Sequence, residues 1–121
     1  MIAVQDVRDY MQQAQVYQTK SDYPNAERSL LLALEASVEV GHEASLMAEA
    51  LQQLTSFYSQ MDQYSEAIAQ ASWCIEMLKS RQGAGSPDLA PLYTTMADLQ
   101  RCDGNEEEAA RYAALAAKVQ A

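Results

Sequence analysis

The sequence predicts an all-α protein built from three stacked helix pairs, and three observations carry that reading. Only four glycines and three prolines occur in 121 residues, too few for the many turns of an all-β chain. Long alanine-rich stretches filled with Gln, Glu, Leu and Met favour helix by intrinsic propensity. Three segments, 10–35, 51–76 and 93–118, align without gaps at spacings of 41 and then 42 residues. A fixed period of this size is the mark of a repeat architecture, whose units cannot bury their apolar faces alone and must stack.

The expected helices run over about 2–20, 23–40, 44–61, 64–81, 88–102 and 106–120. Within each unit a polar cluster separates the two helices: Lys20-Ser21-Asp22, Met61-Asp62-Gln63 and Asp103-Gly104-Asn105. Asp, Ser, Gly and Asn at these points suit a helix stop followed by an N-cap. Pro24 suits the first turn of the second helix, where a missing N–H is harmless. Glu106-Glu107-Glu108 suits the first turn of the sixth, beside the positive end of the helix dipole. Gly41-His42-Glu43 and residues 82–87 connect one unit to the next.

Small residues recur where two helices must approach closely. They are Ala14, Thr55 and Ala97 in the first helix of each unit. In the second helix they are Ala26, Ala67 and Ala109, then Ala33, Cys74 and Ala116. A bulky residue recurs at Tyr10, Leu51 and Tyr93. The whole chain, 1–121, reads as one domain with units at about 7–40, 48–81 and 90–121.

Asp22-Tyr23-x-x-Ala26, Gln63-Tyr64-x-Glu66-Ala67 and Gly104-Asn105-Glu106-x-Glu108-Ala109 resemble the Gly-x-Tyr-x-x-Ala signature of the tetratricopeptide repeat (TPR) family. The period of 41–42 residues and the stretch from Gly83 to Ala90 resemble the long-period, kinesin-light-chain type of that family. The resemblance covers nearly the whole chain and implies a right-handed α–α superhelix. It implies a protein-interaction module that takes a peptide or helix of a partner on the concave face formed by the first helices. The pattern departs from the family at Thr55, a small position, and at Gln100, where Tyr17 and Tyr58 occupy the equivalent sites. The proline that usually closes each unit is missing from the first two.

Charge narrows the partners. Eight Lys and Arg against seventeen Asp and Glu give a net charge of −9. Phosphate backbones and anionic membranes both require basic patches, so neither nucleic acid nor a membrane is expected. The residues from 1 to 10 lack the basic start and apolar core of a secretory signal. Two cysteines form no disulfide framework, and a reducing cytoplasm is the expected location.

No enzyme chemistry is expected, and no metal or cofactor. His42 is the only histidine and falls in a connector. If the fourth and fifth helices run antiparallel, Cys74 and Cys102 differ in height by roughly 10 Å, too far for a disulfide or a shared zinc.

Two surfaces compete for the functional role. Carried over by register from the family, the concave face holds Arg8, Met11, Gln15 and Gln18, then Gln52, Ser56, Ser59 and Gln60, then Thr94, Asp98 and Arg101. The Lys, Arg and Asn set with which family members clamp a peptide carboxylate is not matched there. A lining of Gln, Ser and Thr suits hydrogen bonding to a peptide, and equally a solvated face. On the helical wheel, Leu32, Trp73 and Leu115 share one position of the second helices, joined by Met77, Tyr112 and Val119. That ridge reads either as lateral packing between helices or as a contact surface anchored by Trp73. The sixth helix is alanine-rich and lacks a polar capping helix after it, so homo-oligomerisation or docking through the outer face is the alternative to groove binding.

Overall fold

The computed structural model describes residues 2–41 and 44–121, so the connector residues His42 and Glu43 lie outside the described part. Six α-helices and one short 3-10 turn account for the secondary structure among these residues. They are α1 (Val4–Thr19), α2 (Tyr23–Val40), α3 (Ala44–Gln60), α4 (Tyr64–Gln82), α5 (Ala90–Cys102) and α6 (Glu106–Gln120), with the 3-10 turn Pro87–Leu89 leading into α5. Every expected helix is present, within two residues at each boundary.

The turns inside the three pairs are copies of one device. Ser21 and Asp62 take left-handed backbone, φ 59° and 56°, and Gly104 does so at φ 86°. In each case the next residue's N–H reaches back five residues: Asp22 to the Tyr17 carbonyl (2.8 Å), Gln63 to Tyr58 (2.9 Å) and Asn105 to Gln100 (2.8 Å). This closure satisfies carbonyls that the helix end leaves without partners. The expected helix stops are therefore real, but the expected side-chain N-caps are not formed. Asp22, Gln63 and Asn105 precede their helices at ψ 76°, 60° and 73°, short of the extended backbone at which a cap side chain usually meets the first-turn N–H groups. Their backbone carbonyls accept instead, from the N–H groups of Ala26, Ala67 and Ala109. Pro24 lies in the first turn of α2, as its fixed φ predicts.

The chain divides into two compact units, Met1–Phe57 and Tyr58–Ala121. In the first, α1 packs along α2. Its core holds Val7, Met11 and Ala14 of α1, Ala26, Leu30, Ala33 and Leu34 of α2, and Leu46, Ala50, Leu51 and Leu54 of α3. Tyr23 and Phe57 add a tilted ring contact at 6.4 Å.

In the second unit α5 packs along both α4 and α6. Ala67, Ala71, Cys74 and Leu78 of α4 are buried, as are Leu92, Tyr93, Met96 and Leu99 of α5 and Ala109 of α6. The repeated alanines Ala14, Ala26 and Ala67 are fully buried, as close helix approach requires. Leu89, in the 3-10 turn, is fully buried too. Ser86 opens that turn by accepting from the Asp88 N–H at 3.2 Å. Gln100, which departs from the aromatic pattern, is buried and accepts a hydrogen bond from the Asn105 side chain at 3.0 Å. A polar tie thus closes the third hairpin where Tyr17 and Tyr58 stand in the first two.

Candidate functional site

In the first unit, Arg8, Met11 and Gln15 of α1 line a depression of about 170 Å³. Gln12 joins them from the same helix, and Glu49 and Gln53 from α3. Met11 is buried, so it gives the depression an apolar element, while Arg8, Gln12 and Gln15 are exposed. Arg8 and Glu49 form an ion pair at 3.4 Å. Gln18 is half-buried, and Gln52, Ser56 and Gln60 are exposed on α3, but none of these lines the depression.

Of the residues that register named in this unit, Arg8, Met11 and Gln15 line the depression, whereas Gln18, Gln52 and Ser56 do not. Glu49 and Gln53 are the repeat equivalents of Arg8 and Gln12, 41 residues on. The spacing already contained the signal that picks them out. In the second unit Ser59 is half-buried, and Thr94, Asp98 and Arg101 are exposed. Arg101 lies 3.2 Å from Asp98 and 4.0 Å from Glu106, so its charge is shared within its own hairpin.

The outer-ridge residues take different environments. Leu32 and Trp73 are 37% and 38% exposed, and Met77 is half-buried. Tyr112, Leu115 and Val119 are also half-buried, but Leu115 and Val119 face a cavity of about 390 Å³ that belongs wholly to the second unit. Tyr93 completes its apolar wall, and Lys79, Arg111 and Lys118 line it with positive charge. Ala84 and Gly85 of the connector close another side. The Tyr112 ring sits 6.1 Å from that of Tyr93, with the Arg111 guanidinium 4.5 Å from the Tyr112 ring centre. Arg111 also bonds Glu108 at 2.9 Å, which raises its pKa further and keeps it cationic.

Cys74 is fully buried, and burial pushes its thiol up to about 12; Cys102 is exposed, and both are free. Among the described residues no group of three His, Cys, Asp or Glu is placed to hold a metal ion. No helix among them is long and apolar enough to cross a membrane.

No protein-family model matches the sequence, and no curated protein matches it. Among solved structures, the chain is similar to the TPR domain of Arabidopsis FLU, at 17% identity and a TM-score of 0.65, over 93% of this chain and 92% of that one. It is also matched to BtubC (BKLC) from P. vanneervenii, at 14% identity and a TM-score of 0.48, over 94% of this chain and 63% of that one. The likeness to the FLU domain shows the fold: a TPR-like α–α arrangement of helix pairs.

Proposed function

We propose that the protein is an adaptor that holds a peptide or helix of a partner protein against the first helices of its repeats. The observation that carries this reading is the depression between α1 and α3, where Gln12, Gln15 and Gln53 stand beside the Arg8–Glu49 pair. Side-chain amides both donate and accept, so such a lining can satisfy an extended backbone in either direction. Buried Met11 supplies an apolar contact beneath them. Thr94, Asp98 and Arg101 give α5 the same polar character. The 41–42-residue period, with helices of 16 to 19 residues in the first two pairs, supports the long-period, kinesin-light-chain-like type. Two free thiols suit a reducing cytoplasm.

The test is affinity capture from the native cell with the wild-type chain and with the double variant Gln15→Glu, Gln53→Lys. Gln15 is exposed and Gln53 half-buried, and both new side chains can reach solvent, so circular dichroism should be unchanged. Loss of the captured partner from the variant is expected. Capture of the same partner in the same yield would refute the groove reading.

A second reading rests on Leu32 and Trp73, large apolar side chains left more than a third exposed. Exposed apolar side chains mark interaction sites where they belong to an extensive patch. Under this reading copies of the chain associate through the outer helices, and α6 takes part. Sedimentation equilibrium decides it: a concentration-dependent dimer that Trp73→Ala abolishes supports the reading, and a monomer at all concentrations removes it.

A further inference from the structure

We propose that the cavity of the second unit, walled by α5, α6, the end of α4 and the connector at residues 84–85, binds a carboxylate carried on a compact apolar group. This site is separate from the depression between α1 and α3, and the two proposals stand or fall independently.

Charge is the first argument. The chain carries seventeen acidic residues and only eight Lys and Arg. Yet three of those eight, Lys79, Arg111 and Lys118, line this one cavity, and no Asp or Glu among the described residues lines it. Lys79 and Lys118 lie in the last turns of α4 and α6, where positive charge is favourable whatever else it does. That account does not reach Arg111, which is in the middle of α6. Nor does it explain why the three share a lining.

Two of the cations have nearby carboxylates. Lys79 lies 3.7 Å from Glu76, and Arg111 bonds Glu108. Both are i,i+3 pairs; Glu76 is largely exposed and Glu108 half-buried, and solvent-screened pairs of this kind are weak enough for a bound anion to share the cation. Lys118 has no ion-pair partner among the described residues.

The wall is the second argument. Tyr93, Leu115 and Val119 give the cavity an apolar side, so a bare inorganic anion would leave half of it unused. A volume of about 390 Å³ falls at the small end of ligand pockets. Together these features fit an anionic headgroup on an aliphatic or aromatic body. A free organic acid has that chemistry, and so does the terminal residue of a peptide ending in an apolar side chain.

Calorimetric titration at low ionic strength tests the site with hexanoate and with N-acetyl-Ala-Leu, each beside its neutral amide. The acids should bind about tenfold more tightly than their amides, the scale of one charge-assisted hydrogen bond, and weaken as salt is added. Binding of hexanoate alone points to a free acid and binding of the peptide acid alone to a chain terminus; either supports the site. Lys118→Glu should lower acid affinity about tenfold or more. Gly85→Glu gives a second test, since a Cβ there meets nothing within 4 Å and its backbone is not left-handed. It should block the site without changing the thermal midpoint. Equal affinity for acid and amide, indifference to both variants, or no binding of either acid overturns the proposal.

Discussion

Arg8 and Glu49 occupy the same position in successive repeats, 41 residues apart, and they meet: Arg8 Nη1 lies 3.4 Å from Glu49 Oε1 between α1 and α3. A perfect repeat would place like beside like and set two equal charges against each other. Divergence of the two repeats at this one position turns that repulsion into a pair at the edge of the candidate groove. The side chains are 50% and 44% exposed, so solvent screens the attraction.

A double-mutant cycle with Arg8→Ala and Glu49→Ala should therefore give a coupling of only about 0.2–1 kcal/mol, as exposed pairs do. Raising sodium chloride to about 0.5 M should reduce it further. The swapped chain, Arg8→Glu with Glu49→Arg, should recover most of what either single reversal loses. Urea midpoints read all of these directly, and a salt-independent coupling would contradict the screened geometry.

The three hairpin turns offer an internal comparison. Ser21, Asp62 and Gly104 share one left-handed conformation, but only Gly104 lacks a Cβ to strain it. Ser21→Gly and Asp62→Gly should each raise stability by about 0.5–1 kcal/mol, and Gly104→Ala should lower it by about 1 kcal/mol. Thermal denaturation of the three variants checks the order. A loss of stability in both glycine variants would mean that Ser21 and Asp62 hold their turns by something other than backbone shape.

Helix boundaries were legible in the sequence because turn chemistry and small-residue register agree. Ser21, Asp62 and Gly104 mark the stops, and Ala26, Ala67 and Ala109 mark the close contacts that follow. The N-caps were not legible, since Asp22 and Asn105 have the right side chains but the turn before them sets their ψ. Register named Arg8, Met11 and Gln15 of α1, which line the depression of the first unit. On α3 it named Gln52 and Ser56, the equivalents of Met11 and Gln15, whereas the lining residues Glu49 and Gln53 are the equivalents of Arg8 and Gln12 at the same spacing. The cavity of the second unit was not legible at all. It draws on Lys79, Tyr93 and Arg111 from three helices and on the connector, and no local pattern links them. Leu115 and Val119 were visible as an apolar stripe, but the sequence could not say that they line a cavity.

Thr55 stands where the other repeats have Ala14 and Ala97, and its hydroxyl is buried without a hydrogen-bond partner among the described residues. A buried hydroxyl left unpaired costs about 1–3 kcal/mol in mutational data. Thr55→Val keeps the shape and the branching, so it isolates the hydroxyl. It should raise stability by about 1 kcal/mol, less whatever the added methyl loses to crowding. Denaturant titration measures the change, and a destabilised Thr55→Val chain would show that the hydroxyl is satisfied in solution.

Cys74 gives the chain a stability that depends on pH in a defined direction. Burial raises its thiol from an ordinary value of 9.0 to about 12. The protonated thiol is the neutral form, so the folded chain keeps this proton up to about pH 12 while the unfolded chain releases it near 9. Between those limits the unfolded state binds fewer protons, and stability must fall as pH rises. The limiting slope is about 1.4 kcal/mol per pH unit, and below the unfolded value the effect vanishes. The drop in urea midpoint between pH 8 and pH 10.5 should therefore be smaller in Cys74→Ala than in the wild type, because every other side chain is common to both. Maleimide labelling of the native chain at neutral pH gives an independent check. Exposed Cys102 should react promptly, and Cys74 only at the rate of unfolding, since its thiolate is both scarce and enclosed. Equal labelling of the two thiols would mean that α4 opens locally around Cys74, and the pH slope should then disappear with it.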